Sequence, residues 1–396
     1  MGSSNVLLRP RWYLCSLLAV FFAGGTAGAQ QLTLEQIDAV RRGAGSMHVP
    51  DSGTVVPLFG APELPLVEVL LDGRGPYRFL VDLGSNVVVV RRAVADDAGL
   101  ETVVDRERSD LVAASSLTLG EATFRDVWMA AYDDLDVDGV IGYNMLRGTV
   151  VVLDYPRRTF GLGAVRLPEP AGATGKRDGV LSYQVRDRLP YIPARVGQRD
   201  ILLNLDTGAT NHIVFPLPMA DSLPLAGPPA PGPVLYNNQT GSVRNFIARL
   251  DADIVFGGFV IERPVVFFSP AVEDAWLGSA ILVDSRLELD TERQVLRLTT
   301  DRPLVSPAYR TLGLGLGPVD GESDYRPITD VIPGTPATRL GLSTGDGVVS
   351  IEGVPAGELD ARERRRLAAE NDIVEIVLRR GDSEALLRLE VATLPE

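Results

Sequence analysis

Cysteine and histidine are almost missing from this chain. Of its 396 residues, one is a cysteine, Cys15, and two are histidines, His48 and His212. A single cysteine excludes a disulfide framework within the chain and a thiolate metal site, so stability has to come from packing. Two histidines without a Gly-x-Ser-x-Gly run leave little material for a serine triad or a histidine-based metal site. We therefore predict no metal and no cofactor, and we interpret both histidines as structural.

Basic residues are also in the minority, with 38 Lys and Arg against 52 Asp and Glu. Such an acidic surface disfavours nucleic acid and anionic membranes as partners. The N-terminus has the pattern of a secretory signal, in which Arg9 and Arg11 precede an apolar run at residues 12–23 and a small-x-small cleavage site at 27–29. This predicts a periplasmic or secreted protein with no stable membrane insertion after cleavage. The alternative is an uncleaved anchor, although the run is shorter than the ~20 residues that a span prefers.

The pattern around which the chain is organised is an apolar strand that ends in aspartate and occurs twice. One copy ends at Asp82 and the other at Asp206, and each is followed by a short loop that contains glycine. An aspartate at the end of a buried strand is costly to ionise unless it is hydrogen-bonded. Two such aspartates are natural partners for each other.

A longer internal repeat surrounds the two aspartates. Two apolar residues and a glycine occur at 140–142 and again at 276–278, an offset of 136 residues (278 minus 142). Each triplet leads into a second apolar strand, which ends at Asp154 in the first copy and at Asp290 in the second. This repetition predicts a duplicated β-domain.

At these residues the chain resembles the pepsin and retropepsin-like aspartic proteases. In that family each lobe supplies an Asp-Thr/Ser-Gly loop and a later hydrophobic-hydrophobic-Gly strand. The second copy matches this loop in full, whereas the first copy has Leu83 where the family has Thr or Ser. The resemblance implies a mainly β chain with a bilobal, pepsin-like pair of β-barrels. It also implies a catalytic pair, Asp82 and Asp206, supported by loop residues Gly84, Ser85, Thr207 and Gly208.

The region after residue 302 is similar to bacterial PDZ domains, an α+β fold. The similarity depends on turn-specific glycines, including Gly313 and Gly334, and on a Gly-Asp dipeptide at 345–346. A PDZ domain binds an extended peptide by adding it as a strand beside a helix. The resemblance implies a groove helix near 359–369 and a loop for the peptide's terminal carboxylate that consists of Leu312, Gly313, Leu314, Gly315 and Leu316. The alternative is a groove closed by its own chain, which would make the domain a spacer.

Together these patterns predict a domain order. We expect a signal peptide at 1–29, an N-terminal arm or pro-segment at 30–60, a first protease lobe at 61–166, a linker at 167–179, a second lobe at 180–301 and a PDZ domain at 302–396. Thr33 and Gln36 predict a capped helix within the arm. A hairpin that turns at 238–241 is either a flap over the cleft or an ordinary surface loop.

The function that the resemblance implies is that of an aspartic endopeptidase acting on peptide or protein substrates, with a PDZ domain that recruits their C-terminal tails. Leu83 has no hydroxyl, so one of two cross-lobe hydrogen bonds is lost at a cost of about 1 kcal/mol. Ser85 remains available to bond the outer oxygen of Asp82. The alternatives are a catalytically weak or inactive peptide-binding protein of the same fold, and aspartates that serve only to shape their loops.

Overall fold

The structure is a computed structural model that describes residues 33–104, 110–133, 135–163, 172–175, 178–237, 241–319, 321 and 323–395. The predicted signal peptide lies outside these ranges, as does most of the predicted linker. Within them, no helix combines the length and the apolar composition needed to cross a membrane.

The first half of the chain alternates short strands with two helices. In chain order these are α1 (Leu34–Arg42), β1 (Ser46–His48), β2 (Thr54–Pro57), β3 (Leu66–Leu71), β4 (Arg74–Asp82), β5 (Val88–Arg91), α2 (Arg92–Ala98), β6 (Glu101–Val104), β7 (Asp110–Leu119), β8 (Ala122–Tyr132), β9 (Gly139–Gly142), β10 (Val150–Asp154) and β11 (Thr159–Gly163).

The next part of the chain consists of strands and short 3-10 turns. Its strands are β12 (Gly172–Gly175), β13 (Asp178–Ser182), β14 (Gln184–Arg186), β15 (Leu189–Val196), β16 (Arg199–Asp206), β17 (Ile213–Pro216), β18 (Ala230–Asn237), β19 (Gly241–Arg249), β20 (Ile254–Phe256), β21 (Phe259–Ile261), β22 (Val265–Ser269), β23 (Trp276–Gly278), β24 (Ser285–Asp290) and β25 (Val295–Thr300).

The C-terminal part mixes strands and helices. It contains β26 (Tyr309–Thr311), β27 (Leu314–Leu316), β28 (Arg326–Val331), α3 (Pro336–Arg339), β29 (Gly347–Ile351), β30 (Val354–Pro355), α4 (Ala361–Glu370), β31 (Ile373–Arg380), β32 (Ser383–Glu390) and β33 (Ala392–Leu394). The predicted class, a mainly β chain, is confirmed.

Each half of the repeat folds around its own sheet. In the first half, eight strands pair in the order β1-β8-β5-β9-β4-β3-β7-β6, and in the second the order is β18-β19-β22-β17-β23-β16-β15-β20-β21, with β14 added to β15. In both sheets the strand that ends in aspartate runs parallel to the apolar-apolar-glycine strand. Asp82 lies beside Gly142, and Asp206 lies beside Gly278. The sheets therefore carry the two aspartates at equivalent positions.

A seven-stranded sheet, in the order β12-β13-β25-β24-β10-β11-β2, joins the two halves. Its central antiparallel pair is β10 with β24, in which Val150 lies opposite Asp290 and Asp154 opposite Arg286. By the repeat offset of 136, Arg286 is the equivalent of Val150, and Asp290 is the equivalent of Asp154. Each residue of the first copy therefore pairs with the equivalent of the other. The two copies therefore meet across a local twofold axis that passes through this pair of strands.

Local sequence signals explain the turns that lead to each aspartate. β3 and β4 are joined by Asp72 and Gly73, both with positive φ (48° and 78°), as a two-residue hairpin with type I′ geometry requires. The turn consists of these two residues only, because β3 ends at Leu71 and β4 begins at Arg74. Gly197, with φ of 57°, takes part in the corresponding turn between β15 and β16.

The predicted N-terminal helix is present, whereas part of the predicted linker is a strand. Helix α1 has the predicted capping box, in which the Thr33 hydroxyl accepts from the Gln36 amide and the Gln36 side chain accepts from the Thr33 amide. The predicted linker at 167–179 is partly strand, because Gly172–Gly175 forms β12 and pairs with β13. Its proline, glycine and alanine content had indicated a linker, but the small residues also fit an edge strand whose backbone is paired.

Apolar side chains fill two main clusters. The larger one draws residues from both halves of the repeat, from Leu58 to Leu304, and includes Leu83 and Leu205 next to the two aspartates. A separate cluster extends from Leu312 to Leu389 and forms the core of the C-terminal part. We call residues 304–395 the C-terminal unit.

The ion pair between Asp154 and Arg286 ties β10 to β24. The Asp154 side chain is buried and accepts from Arg286 Nη1 and Arg157 Nη1, both at 2.9 Å. Burial alone would raise the pKa of Asp154, but the hydrogen bonds from Arg157 and Arg286 outweigh it and hold the pKa below the usual 3.8. Asp154→Ala is expected to lower the free energy of unfolding by about 2 kcal/mol.

The loss in this variant should depend on pH. A depressed folded-state pKa stabilises the fold above pH 3.8, and this stabilisation is lost as the pH falls through the folded value. Urea unfolding should therefore show the wild type and the variant converging below pH 3.8. The matched control is Asp251→Ala, whose partner Arg263 forms an exposed pair with it at 2.8 Å. An equal loss in both variants would contradict the assignment.

Candidate active site

The two aspartates lie side by side in the interior. Asp82 is the last residue of β4 and Asp206 the last residue of β16, and both have an exposed fraction of 0%. The amide of Gly208 donates to Oδ1 of Asp82 at 3.2 Å and to Oδ1 of Asp206 at 3.0 Å. One N–H group therefore bonds carboxylates from both halves of the chain. The two carboxyl groups are therefore neighbours.

Close approach explains the glycine in each loop. A Cβ atom placed on Gly84 would lie 2.5 Å from Cγ of Asp206, and one on Gly208 would lie 2.5 Å from Cγ of Asp82. No side chain fits at such a distance, so each loop passes directly against the carboxylate of the other half. The two glycines are required by space rather than by a left-handed backbone.

Burial and mutual repulsion disfavour ionisation of the pair. Burial, and then the negative charge of Asp206, raise the pKa of Asp82 well above its usual range. The amides of Gly84 (2.8 Å) and Gly208 oppose this shift, because both donate to Oδ1. Two carboxyl groups in this arrangement hold a shared proton up to a higher pH than either would alone.

The hydroxyl of Thr207 links the two halves. It accepts from the amide of Leu83 at 2.9 Å and donates to the carbonyl of Val81 at 2.8 Å. Both of its partners are backbone groups, so the hydroxyl is satisfied without a second hydroxyl opposite. Leu83 is fully buried and packs into the large apolar cluster. Although Leu83 has no hydroxyl, the Thr207 hydroxyl still has two hydrogen-bond partners.

The expectation for Ser85 was wrong. Its hydroxyl donates to the carbonyl of Val87 at 2.9 Å and is turned away from Asp82. Oδ2 of Asp82 has no hydrogen-bond partner among the described residues. In the second loop the corresponding position is Ala209, whose amide donates to Oδ1 of Asp206 at 2.9 Å. The backbone, and not a side chain, supports the carboxylate at this position.

Tyr155 was not identified from the sequence. It follows β10 directly, its hydroxyl is buried, and no described residue bonds that hydroxyl. Burial raises the pKa of Tyr155, and the charges of Asp82 and Asp206 raise it further. The repeat offers one signal, since the equivalent residue, Thr291, is also polar and follows Asp290.

Neither histidine is part of the carboxylate pair formed by Asp82 and Asp206. Burial lowers the pKa of His212 to about 4, against an opposing effect of Glu63, so the ring is neutral at pH 7. His48 lies in β1 at one edge of the first sheet. Across the described ranges, no group of three or more His, Cys, Asp or Glu side chains is arranged to hold a metal ion.

The predicted carboxylate loop of the C-terminal unit is only partly free. Leu312, Leu314 and Leu316 are buried in the unit's own core, and β27 is the edge strand of its sheet. The Gly313 amide, which the resemblance assigned to a peptide carboxylate, donates instead to the Thr311 hydroxyl at 3.1 Å. The predicted groove helix is present as α4, capped by the side chain of Asp360.

Similarity to known proteins centres on the first half of the repeat. Residues 67–145 match the aspartyl protease family. This segment contains Asp82 and the triplet at 140–142, and the match supports a protease-type relationship for that part of the chain. The chain matches none of the curated proteins with which it was compared.

Two solved structures align with parts of the chain. A retropepsin-like aspartic protease from Rickettsia conorii is 16% identical over 30% of this chain and 92% of its own, with a TM-score of 0.23. The HtrA3 PDZ domain bound to a phage-derived ligand (FGRWV) is 20% identical over 22% of this chain and 88% of its own, with a TM-score of 0.20. Both TM-scores are low, and the fold described above is defined by the chain's own strand pairing.

The Thr207 link predicts a stability effect. Thr207→Val is expected to lower the free energy of unfolding by about 2 kcal/mol, because it leaves the buried Leu83 amide and Val81 carbonyl without that partner. Thr207→Ser keeps the hydroxyl and should lose clearly less. Chemical denaturation of both variants measures the difference. Equal losses would show that the methyl group, and not the hydroxyl, accounts for the effect.

Proposed function

We propose that the protein is a periplasmic or secreted aspartic endopeptidase in which Asp82 and Asp206 form the catalytic pair. The observation that carries this proposal is the Gly208 amide that hydrogen bonds both carboxylates. The aspartyl protease match over residues 67–145 supports the same reaction class. The signal-like N-terminus motivates the location.

The chemistry follows from the shared proton. One carboxylate acts as a general base on a water molecule, which attacks the carbonyl carbon of the peptide bond. The protonated partner donates a hydrogen bond to the carbonyl oxygen, and the roles reverse as the amine departs with a proton. The raised pKa of Asp82 keeps the required proton in the pair, whereas amides at Oδ1 stabilise the remaining charge. Asp82 and Asp206 titrate as one unit, so neither has a fixed role.

The C-terminal unit is proposed to bind peptide tails. Support comes from β27, an edge strand of the unit's sheet, and from helix α4, which belong to the same small core. Because Thr311 engages the Gly313 amide, a peptide carboxylate would have to displace this hydroxyl or use another amide of the loop. The domain order and the two-lobed protease remain part of the same proposal.

Asp82→Asn and Asp206→Asn test the catalytic pair. Each is expected to reduce peptide hydrolysis by at least about 100-fold, because an amide can neither hold nor exchange the shared proton. The assay is cleavage of casein and of a peptide library at several pH values below neutral. Thermal unfolding of each variant serves as the folding control.

The matched control is Asp251→Asn, which removes one exposed carboxylate from the second half of the repeat. It should leave hydrolysis unchanged. Undiminished cleavage by Asp82→Asn or Asp206→Asn would exclude that residue from the mechanism. A wild-type protein that cleaves no peptide under any condition would favour a binding protein of the same fold.

Peptides with an apolar C-terminal residue test the tail-binding role. The Asp206→Asn chain should bind the free-acid form about tenfold to a hundredfold more tightly than the amidated form, since a charge-assisted hydrogen bond is worth roughly 1.5 to 3 kcal/mol. Calorimetry on paired peptides measures this ratio. Equal binding of the two forms would rule out carboxylate capture.

A further inference from the structure

The second half of the repeat has an apolar face next to Asp206. Ala209, whose amide bonds this carboxylate, belongs to an apolar cluster with Val214, Ile247 and Trp276. The strand register explains the grouping, because Val214 lies opposite Trp276 and β23 runs beside the last residues of β16. A peptide that approaches Asp206 from this side therefore meets an apolar surface.

The C-terminal unit covers this face. Ile332 and Leu394 belong to the same cluster as Ala209 and Trp276, and they are only 2% and 6% exposed. Tyr309 packs edge to face against Phe267, with ring centroids 5.3 Å apart. The face beside Asp206 is therefore closed to solvent by side chains from a separate part of the fold.

A polar contact, which we call the Asp330 latch, holds the unit to the β18–β19 hairpin. Oδ1 of Asp330 lies 2.5 Å from Nη2 of Arg244, and Oδ2 accepts from the amide of Val234 at 3.2 Å. β18 also contacts β27 and β28. The hairpin that the sequence presented as a candidate flap is thus attached to the unit by one carboxylate.

A second polar contact lies at the edge of the same interface. Arg365 of α4 pairs with Glu63 at 3.4 Å, and both side chains are partly exposed. The backbone carbonyl of Glu63 accepts from the Ser279 hydroxyl, which also donates to the carbonyl of Ala209. Helix α4 therefore reaches the β2–β3 connection of the first half, which accepts a hydrogen bond from Ser279 of the second half.

The unit is held by the two ion pairs, by the shared apolar cluster and by hydrogen bonds between Ser306 and Val265. The Arg365–Glu63 pair is partly exposed and contributes little to stability, whereas the more buried Asp330 carboxylate accepts from both Arg244 and Val234. Interfaces between domains of one chain resemble transient interfaces, and relative motion is the default for them. The corresponding face of the first half, at Val87 and Val140, shares its cluster with Val40 of α1. Both sides of the pair are covered in this structure.

We propose that the C-terminal unit is a removable cover on the second-lobe side of the carboxylate pair, and that a peptide substrate reaches this side only when the unit moves away. The proposal rests on the proposed function, because it assigns the covered apolar face to the peptide substrate. Gly315 of the predicted peptide loop lies directly opposite Asp330 of the latch. A peptide tail bound at this loop would therefore act on the contact that holds the cover.

Thiol labelling measures the opening without any assay of activity. Leu394→Cys in a Cys15→Ser background places the only thiol of the chain under the cover. Adding Asp330→Asn is expected to raise the rate of maleimide labelling by about tenfold, because it removes the charge that holds Arg244. Adding Asp251→Asn instead removes an equal charge from the exposed pair with Arg263 and should leave the rate unchanged. Equal rates in the two variants would overturn the cover.

Peptide turnover measures the consequence of opening. Leu394→Ser should raise kcat/KM for end-blocked peptides by about tenfold, whereas Leu386→Ser, at a position 62% exposed in the same unit, should not. End-blocked peptides carry no free carboxylate, so tail capture cannot produce the difference. Faster labelling of the Asp330→Asn chain with unchanged turnover in both variants would also overturn the proposal.

Binding separates a failure of the cover from a failure of the proposed function. If no form of the protein cleaves peptides, the affinity of an end-blocked fluorescent peptide is measured by anisotropy. Leu394→Ser and Asp330→Asn are each still expected to tighten binding by about tenfold over the wild type. Unchanged affinity in both variants would reject the cover, whereas tighter binding without cleavage would reject only the enzyme.

Discussion

The Gly208 amide donates to carboxylates from both halves of the chain, and the surrounding residues are arranged to make this possible. Two buried carboxyl groups repel each other when ionised, so they need donors and a shared proton to remain together. The donors here are backbone amides, which come close enough only because Gly84 and Gly208 have no side chains. The glycine in each loop is therefore required by the space available.

The central sheet supplies the rigidity that this contact requires. β10 and β24 are equivalent strands of the repeat and pair with each other symmetrically. The two halves therefore approach the twofold axis in the same way. A one-residue slip would reverse the faces of every side chain in a strand. Two contacts connect the halves. One is the ion pair of Asp154 with Arg286 in the central sheet, and the other is the hydrogen bond of Thr207 within the pair of loops.

Local patterns predicted the local structure well. The capping box of α1 and the hairpins before each aspartate depend on residues close in sequence, and the structure contains them. The adjacency of the two aspartates followed from the repeat, because equivalent strands meet at a twofold axis. The direction of the Ser85 hydroxyl did not follow, since it depends on a nearby carbonyl that competes with the carboxylate. That residues 172–175 form a strand did not follow either, because this strand depends on its pairing with β13.

Contacts between distant parts of the chain had no sequence signal. Arg244 and Asp330 are 86 residues apart, and each belongs to a segment that the sequence assigned to a different domain. Neither charge stands out from its neighbours. For Tyr155 the only sequence signal was the polar residue Thr291 at the equivalent position, and its surroundings depend on how β10 meets the second half of the repeat. Such contacts come from docking of finished elements, so only the assembled structure reveals them.

Leu83 illustrates how the structure changes the meaning of a sequence difference. From the sequence, a missing hydroxyl is a lost cross-lobe hydrogen bond worth about 1 kcal/mol. In the structure, Leu83 is fully buried in the shared core, and burying such a side chain contributes about 1.5 to 3 kcal/mol. Thr207 still ties both Val81 and Leu83 to the second half. Leu83 therefore contributes packing to the shared core, while the Thr207 hydroxyl supplies the polar link between the two halves.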